Sequence, residues 1–115
     1  MKTIVFDFDG VIHSYVSGWQ GVDVIPDKPI EGIVDTINQL RSDGYKVVVH
    51  STRCKETKGL VAIQSWLSKY NIVVDDVSAT KPPAFVYVDD RAICFDGNCN
   101  TLVSKIKNFK TWQQK

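Results

Sequence analysis

Apolar and polar positions along the chain switch between two periods. Strand-like blocks stand at 3–8 (TIVFDF), 46–50 (KVVVH) and 85–88 (FVYV), each a short apolar run closed by polar residues. Helical stripes lie between and after them. The first is Ile30, Ile33, Val34, Ile37 and Leu40, stopped by Gly44; the second is Leu60, Ile63, Trp66, Leu67 and Tyr70. A third, Leu102, Ile106, Phe109 and Trp112, closes the chain. Steps of three and four put each set on one helix face. Weaker strand signals cover 72–77 and 92–95. Strands alternating with helices predict an α/β fold, a three-layer Rossmann-like parallel sheet with strands buried on both faces. Residues 11–28 break the rhythm. They are long for a strand-to-helix connection, and β-like pieces around Gly18 and Gly21 predict a small hairpin or flap.

Size and charge narrow the picture. The 115 residues predict a single domain, 1–115, without room for a second. Apolar content of 43% and charged content of 23% are those of a soluble globular chain. A net charge of +1 gives no argument for a nucleic-acid surface, a membrane surface or an acidic tail. No apolar run has transmembrane length. The apolar stretch after Lys2 is cut by Asp7, so no signal-peptide layout is read. Cys54, Cys94 and Cys99 are an odd set with no disulfide framework. They read as reduced thiols, and a cytoplasmic location is expected. Cys94 and Cys99 lack the further ligands of a zinc site.

The candidate chemistry lies at the strand ends. Buried charge is costly unless compensated, yet the first strand runs into Asp7 and Asp9, followed by Gly10. The second ends in Ser51, Thr52 and Arg53; the third clear strand ends in Asp89 and Asp90, with Lys81 just ahead of it. In an open parallel sheet these ends share one edge, where ligands bind. Several carboxylates at one point call for a hard, oxygen-ligated cation such as Mg²⁺. A carboxylate beside such a cation can attack a phosphoryl group, and a lysine and a hydroxyl can hold the phosphoryl oxygens. A second carboxyl two residues away can act as acid and base.

DFDGV at 7–11, Ser51 after its run of valines, Lys81, and VDD at 88–90 resemble, in order, the four motifs of the haloacid dehalogenase-like (HAD) hydrolase superfamily. The resemblance covers nearly the whole chain and is closest to short members without a cap domain; the 11–28 flap is the only candidate lid. It implies a Mg²⁺-dependent phosphomonoester hydrolase working through an aspartyl-phosphate. Asp7 is then the nucleophile. Asp9 is the general acid and base, with its backbone carbonyl on the metal. Asp89 binds the metal directly, and Asp90 helps through water. Ser51 and Lys81 grip the phosphoryl group, with Thr52 the alternative hydroxyl. Arg53 is a candidate phosphate or substrate contact.

Two other function classes fit parts of the pattern. A phosphoacceptor receiver domain shares the size, the acidic cluster, the hydroxyl and the lysine. Its acidic pair would come early and its phosphoacceptor mid-chain, whereas here the DxD leads and the DD closes. A catalytically silent HAD-like binding module would be expected to lack a site residue, and none is missing. His13 and His50 read as structural, and Trp66 and Trp112 as core. Trp19, in SGWQG, either stacks on a substrate ring or anchors the flap. The expected partner is a phosphorylated substrate, read as a nucleotide or a nucleic-acid end because Tyr15 and Trp19 can stack on a base. VDDR at 88–91 also resembles the metal motif of HAD deoxyribonucleotidases. No membrane partner is expected, and an oligomer is not predicted.

Overall fold

A computed structural model describes residues 2–115. The elements in chain order are β1 (Thr3–Asp7), α1 (Ile33–Ser42), β2 (Lys46–His50), α2 (Thr57–Lys69), β3 (Asp76–Ser78), β4 (Val86–Val88) and α3 (Leu102–Lys107). One-turn 3₁₀ segments at Thr52–Lys55 and Cys99–Thr101 precede α2 and α3. The four strands form one parallel sheet in the order β3-β2-β1-β4.

β1 and β2 hold the middle of the sheet because their centres are β-branched or aromatic. Ile4, Val5 and Phe6 pair in register with Val47, Val48 and Val49, and all six are buried. Ile4, Phe6, Val47 and Val49 face one core, filled by Ile33 and Ile37 of α1 and by Ile63, Trp66 and Leu67 of α2. Burying a Val, Leu, Ile or Phe side chain stabilises by about 1.5–3 kcal/mol, so this layer holds the sheet ends in place. A seven-residue connection, 79–85, carries the chain from β3 past β2 and β1 to β4 without a helix.

Five segments depart from the sequence pattern. α1 begins at Ile33 rather than near Ile30, because Gly32 sits in the left-handed region (φ +86°). Residues 92–95 form no strand. The carboxylate of Asp89 accepts the backbone N–H of Arg91 (2.9 Å), a turn that leads the chain off the sheet. β4 is therefore an edge strand, and Val86, Tyr87 and Val88 are exposed rather than covered on both faces. α3 stops at Lys107, so Phe109 and Trp112 lie outside it. Trp112 is half-exposed, not core, and its indole N–H donates to the Gly10 carbonyl (2.8 Å). Finally, 11–28 forms no hairpin. Its turns are fastened by Ser17, which donates from its N–H and hydroxyl to Asp27, and by Trp66, which donates to the Asp27 carbonyl. Among the described residues no helix is long and apolar enough to cross a membrane.

Candidate active site

The strand order reverses between β1 and β4, so their carboxyl ends open on the crevice where parallel sheets take ligands. Asp7 is the last residue of β1, and Asp89 and Asp90 follow β4 directly. One carboxylate oxygen of each lies within 4.8 Å of the other two. Burial, then the charges of Asp89 and Asp90, push the Asp7 carboxyl up to about 7. Asp89 is held below the usual carboxylate range. Burial works against its ionisation, but the Arg91 N–H and the Lys81 ammonium (3.1 Å) outweigh it. Asp90 Oδ1 is buried with no hydrogen-bond partner among the described residues.

Crowded carboxylates and an orphaned buried oxygen are both costly. A hard cation relieves both, and an all-carboxylate donor set suits Mg²⁺, whose oxygen ligands sit at about 2.0–2.1 Å. The residues present fit that ion. Gly10 makes the arrangement possible: its φ is +84°, and a Cβ there would collide with Asp90 Oδ2.

The Asp9 carboxylate stands outside this group and is held from behind. Arg53 donates from Nε to Oδ2 (2.9 Å) and from Nη2 to Oδ1 (3.2 Å). His13 Nδ1 lies 2.8 Å from Oδ1. The Asp27 backbone N–H donates to His13 Nε2 (3.1 Å), which leaves the ring proton on Nδ1, facing Asp9. Burial raises the Asp9 carboxyl, yet the bonds from His13 and Arg53 prevail and hold it below its ordinary range. Arg53 itself is buried, at 1% exposure, and its Nη1 donates to the carbonyls of Gly21, Val22 and Val24. Its guanidinium is spent on Asp9 and on the 11–28 loop, not offered to a phosphate. Trp19 lies over it, 4.5 Å from guanidinium carbon to ring centroid.

A cavity of about 430 Å³ opens above these groups, with Asp7, Asp9 and Asp90 lining it. His50, Ser51 and Thr52 at the end of β2 form part of its wall, and Tyr15 and Trp19 of the loop another. Ser51 is buried, and its hydroxyl accepts the Arg53 N–H (3.1 Å), capping the 3₁₀ turn; Thr52 is exposed. Lys81 reaches Asp89 at the rim and does not line the cavity. Arg91, Thr111, Gln113 and Gln114 line it as well. Arg91 follows the acidic pair in VDDR, but nothing in the local sequence of Thr111, Gln113 and Gln114 marks them for the site; the return of 111–114 to the DFDG turn brings them there. A hollow of about 490 Å³ between α2 and β3 contains Asp75, but that carboxylate is engaged by the Val47 N–H and Arg41.

In fold, the chain is similar to a chain of the Pnkp1/Rnl/Hen1 RNA repair complex. The match has a TM-score of 0.56 at 18% identity, covering 91% of this chain and 30% of that one. A second solved structure, the D,D-heptose 1,7-bisphosphate phosphatase from Burkholderia thailandensis, matches at a TM-score of 0.43 and 21% identity, over 70% of this chain and 54% of that one. The chain thus spans less than a third of the first protein and about half of the second. No protein-family model and no curated protein sequence matches it.

Proposed function

We propose that this chain is a HAD-like, Mg²⁺-dependent phosphomonoester hydrolase that works through a phosphorylated Asp7. One observation carries the reading. Asp7, Asp89 and Asp90 converge at the switch point of a parallel sheet, with Asp9 lining the same cavity. The likeness to the chain of the RNA repair complex, at 18% identity, speaks for fold only.

Asp7, Asp89 and Asp90 are the residues that would hold the ion. When bound, it neutralises the carboxylates and the phosphoryl oxygens, so that one anion can approach another. Asp7 then attacks phosphorus: a bond forms from its carboxylate oxygen, the bond to the leaving oxygen breaks, and that oxygen takes a proton from the protonated Asp9 carboxyl, which is left ionised. Water next attacks the same phosphorus, loses a proton to Asp9 and releases phosphate, restoring Asp7. Ser51 or Thr52 holds phosphoryl oxygens through its hydroxyl, while Lys81 steadies Asp89. Arg53 and His13 favour the ionised Asp9, which is the base of the second step. Loading a proton onto Asp9 for the first step works against that preference, so poor leaving groups are the harder substrates.

The test is Asp9→Asn. Turnover of an alkyl phosphate is expected to fall by about 10²–10⁴-fold, the usual contribution of a general acid–base group. Hydrolysis of an ester whose leaving group needs no proton should suffer less in its first step. Unchanged turnover of both would remove Asp9 from the chemistry.

A further inference from the structure

We propose that the leaving-group side of this cavity takes the terminal nucleotide of a phosphate-ended oligonucleotide, and that the C-terminal segment is the element that recognises it. The proposal rests on the phosphohydrolase reading for the position of the terminal phosphate.

The chain end is laid across the catalytic loop. Trp112 donates to the Gly10 carbonyl (2.8 Å), and Gln113 Nε2 to the Ser14 carbonyl (2.6 Å). The turn is closed by the Thr111 N–H, which donates to Gln114 Oε1 (3.0 Å). These bonds use the amide hydrogen of one glutamine and the amide oxygen of the other. Gln113 Oε1 and Gln114 Nε2 are left with no hydrogen bond to the described residues. Both glutamines line the cavity that contains Asp7 and Asp9. One free acceptor and one free donor are what a nucleobase edge complements, and amide side chains pair with bases in this way. Trp19, 57% exposed on the same cavity, supplies ring surface for stacking.

The site also continues past one nucleotide. A second hollow of about 460 Å³ shares Arg91, Thr111 and Gln114 with the cavity and is otherwise apolar, lined by Ile93, Leu102 and Ile106 among others. Residues 97–115, which contribute Leu102, Ile106, Phe109, Thr111 and Gln114 to that hollow, contain Lys105, Lys107, Lys110 and Lys115 and no acidic residue. Lys105 is paired with Asp96 (3.3 Å); Lys107 and Lys110 form no salt bridge among the described residues. Aromatic surface interleaved with unpaired cations is the chemistry of single-stranded nucleic acid. A small phosphosugar uses neither the apolar hollow nor the lysines.

The experiment measures binding apart from turnover. Fluorescently labelled pentanucleotides, RNA and DNA, each with a 3′- or a 5′-terminal phosphate, are titrated with the Asp7→Asn protein in Mg²⁺ and followed by anisotropy. Affinity is expected to fall with salt at a log–log slope of about −1.4 to −2.1, for two or three phosphate contacts on a single strand. Trp19→Ala should weaken binding by about ten- to a hundredfold, and Lys107→Glu with Lys110→Glu by about tenfold or more. A phosphoserine peptide of equal charge should bind more weakly than the preferred oligonucleotide. A peptide bound as tightly, or oligonucleotide binding indifferent to salt and to the lysine reversals, overturns the proposal. The two readings fail separately. A wild-type protein that hydrolyses an aryl phosphate but lacks this binding pattern loses only the nucleic-acid site. One that binds in this pattern but hydrolyses no phosphomonoester loses only the phosphohydrolase assignment.

Discussion

Asp9 and Arg53 meet as a two-point pair: Nε lies 2.9 Å from Oδ2 and Nη2 lies 3.2 Å from Oδ1. The guanidinium is buried and also gathers three carbonyls of the 11–28 loop. One side chain therefore aims the carboxylate and fastens the loop that carries Trp19.

Removing that side chain is expected to cost fold and function together. Arg53→Met leaves Asp9 with His13 alone and three carbonyls without their Arg53 donor, and truncating one partner of a buried pair typically destabilises by about 3–5 kcal/mol. Arg53→Lys keeps the charge but loses the planar fork, so a smaller loss of stability and a large loss of turnover are expected. Denaturant midpoints and initial rates on the two variants check this. A wild-type midpoint for Arg53→Met would show that the pair carries no stability.

Asp7 gives the metal-free protein a pH signature. Its carboxyl is pushed up to about 7 in the fold, from 3.8, by burial and by Asp89 and Asp90. A carboxyl raised by folding binds protons more tightly in the native state, so its contribution to stability falls as pH rises. The loss runs from about pH 4 to about pH 7 and levels off above. Thermal melts in excess chelator should show this decline; Mg²⁺ or Asp7→Asn should flatten it. A melt that rises steadily from pH 4 to 7 and is the same in Asp7→Asn contradicts the crowding of these carboxylates.

A substitution at Gly10 tests the proposed ion site apart from the proposed nucleophile. Gly10→Ala drives a methyl into Asp90 and forces a left-handed backbone on alanine, which alone costs about 1–2 kcal/mol. Weaker Mg²⁺ binding by calorimetry is expected, with a matching rise in the Mg²⁺ needed for half-maximal turnover. Unaltered affinity would mean that Asp90 lies outside the ion site.

The sheet and the acidic ends of its strands were legible because both are local: β-branched runs make strands, and the residues after them fall on one edge. The role of Arg53 was not. HSTR marks an arginine at a strand end, but its acceptors are backbone carbonyls of Gly21, Val22 and Val24, which no side-chain pattern reveals. His13 carries no sequence signal of its contact with Asp9, which depends on the chain after Gly10 turning back so that His13 bridges Asp9 and Pro29. Phe109 and Trp112 continue a helical stripe in sequence. In the fold the indole N–H of Trp112 finds the Gly10 carbonyl instead, and that long-range bond turns the chain end into a wall of the cavity.

The most direct measurement is hydrolysis of a generic aryl phosphate by the wild-type protein, with Mg²⁺ and with excess chelator, beside Asp7→Asn. The account predicts steady turnover in Mg²⁺, none in chelator, recovery when Mg²⁺ is restored, and none from a folded Asp7→Asn protein. Full turnover in chelator, or wild-type rates from Asp7→Asn, would contradict it.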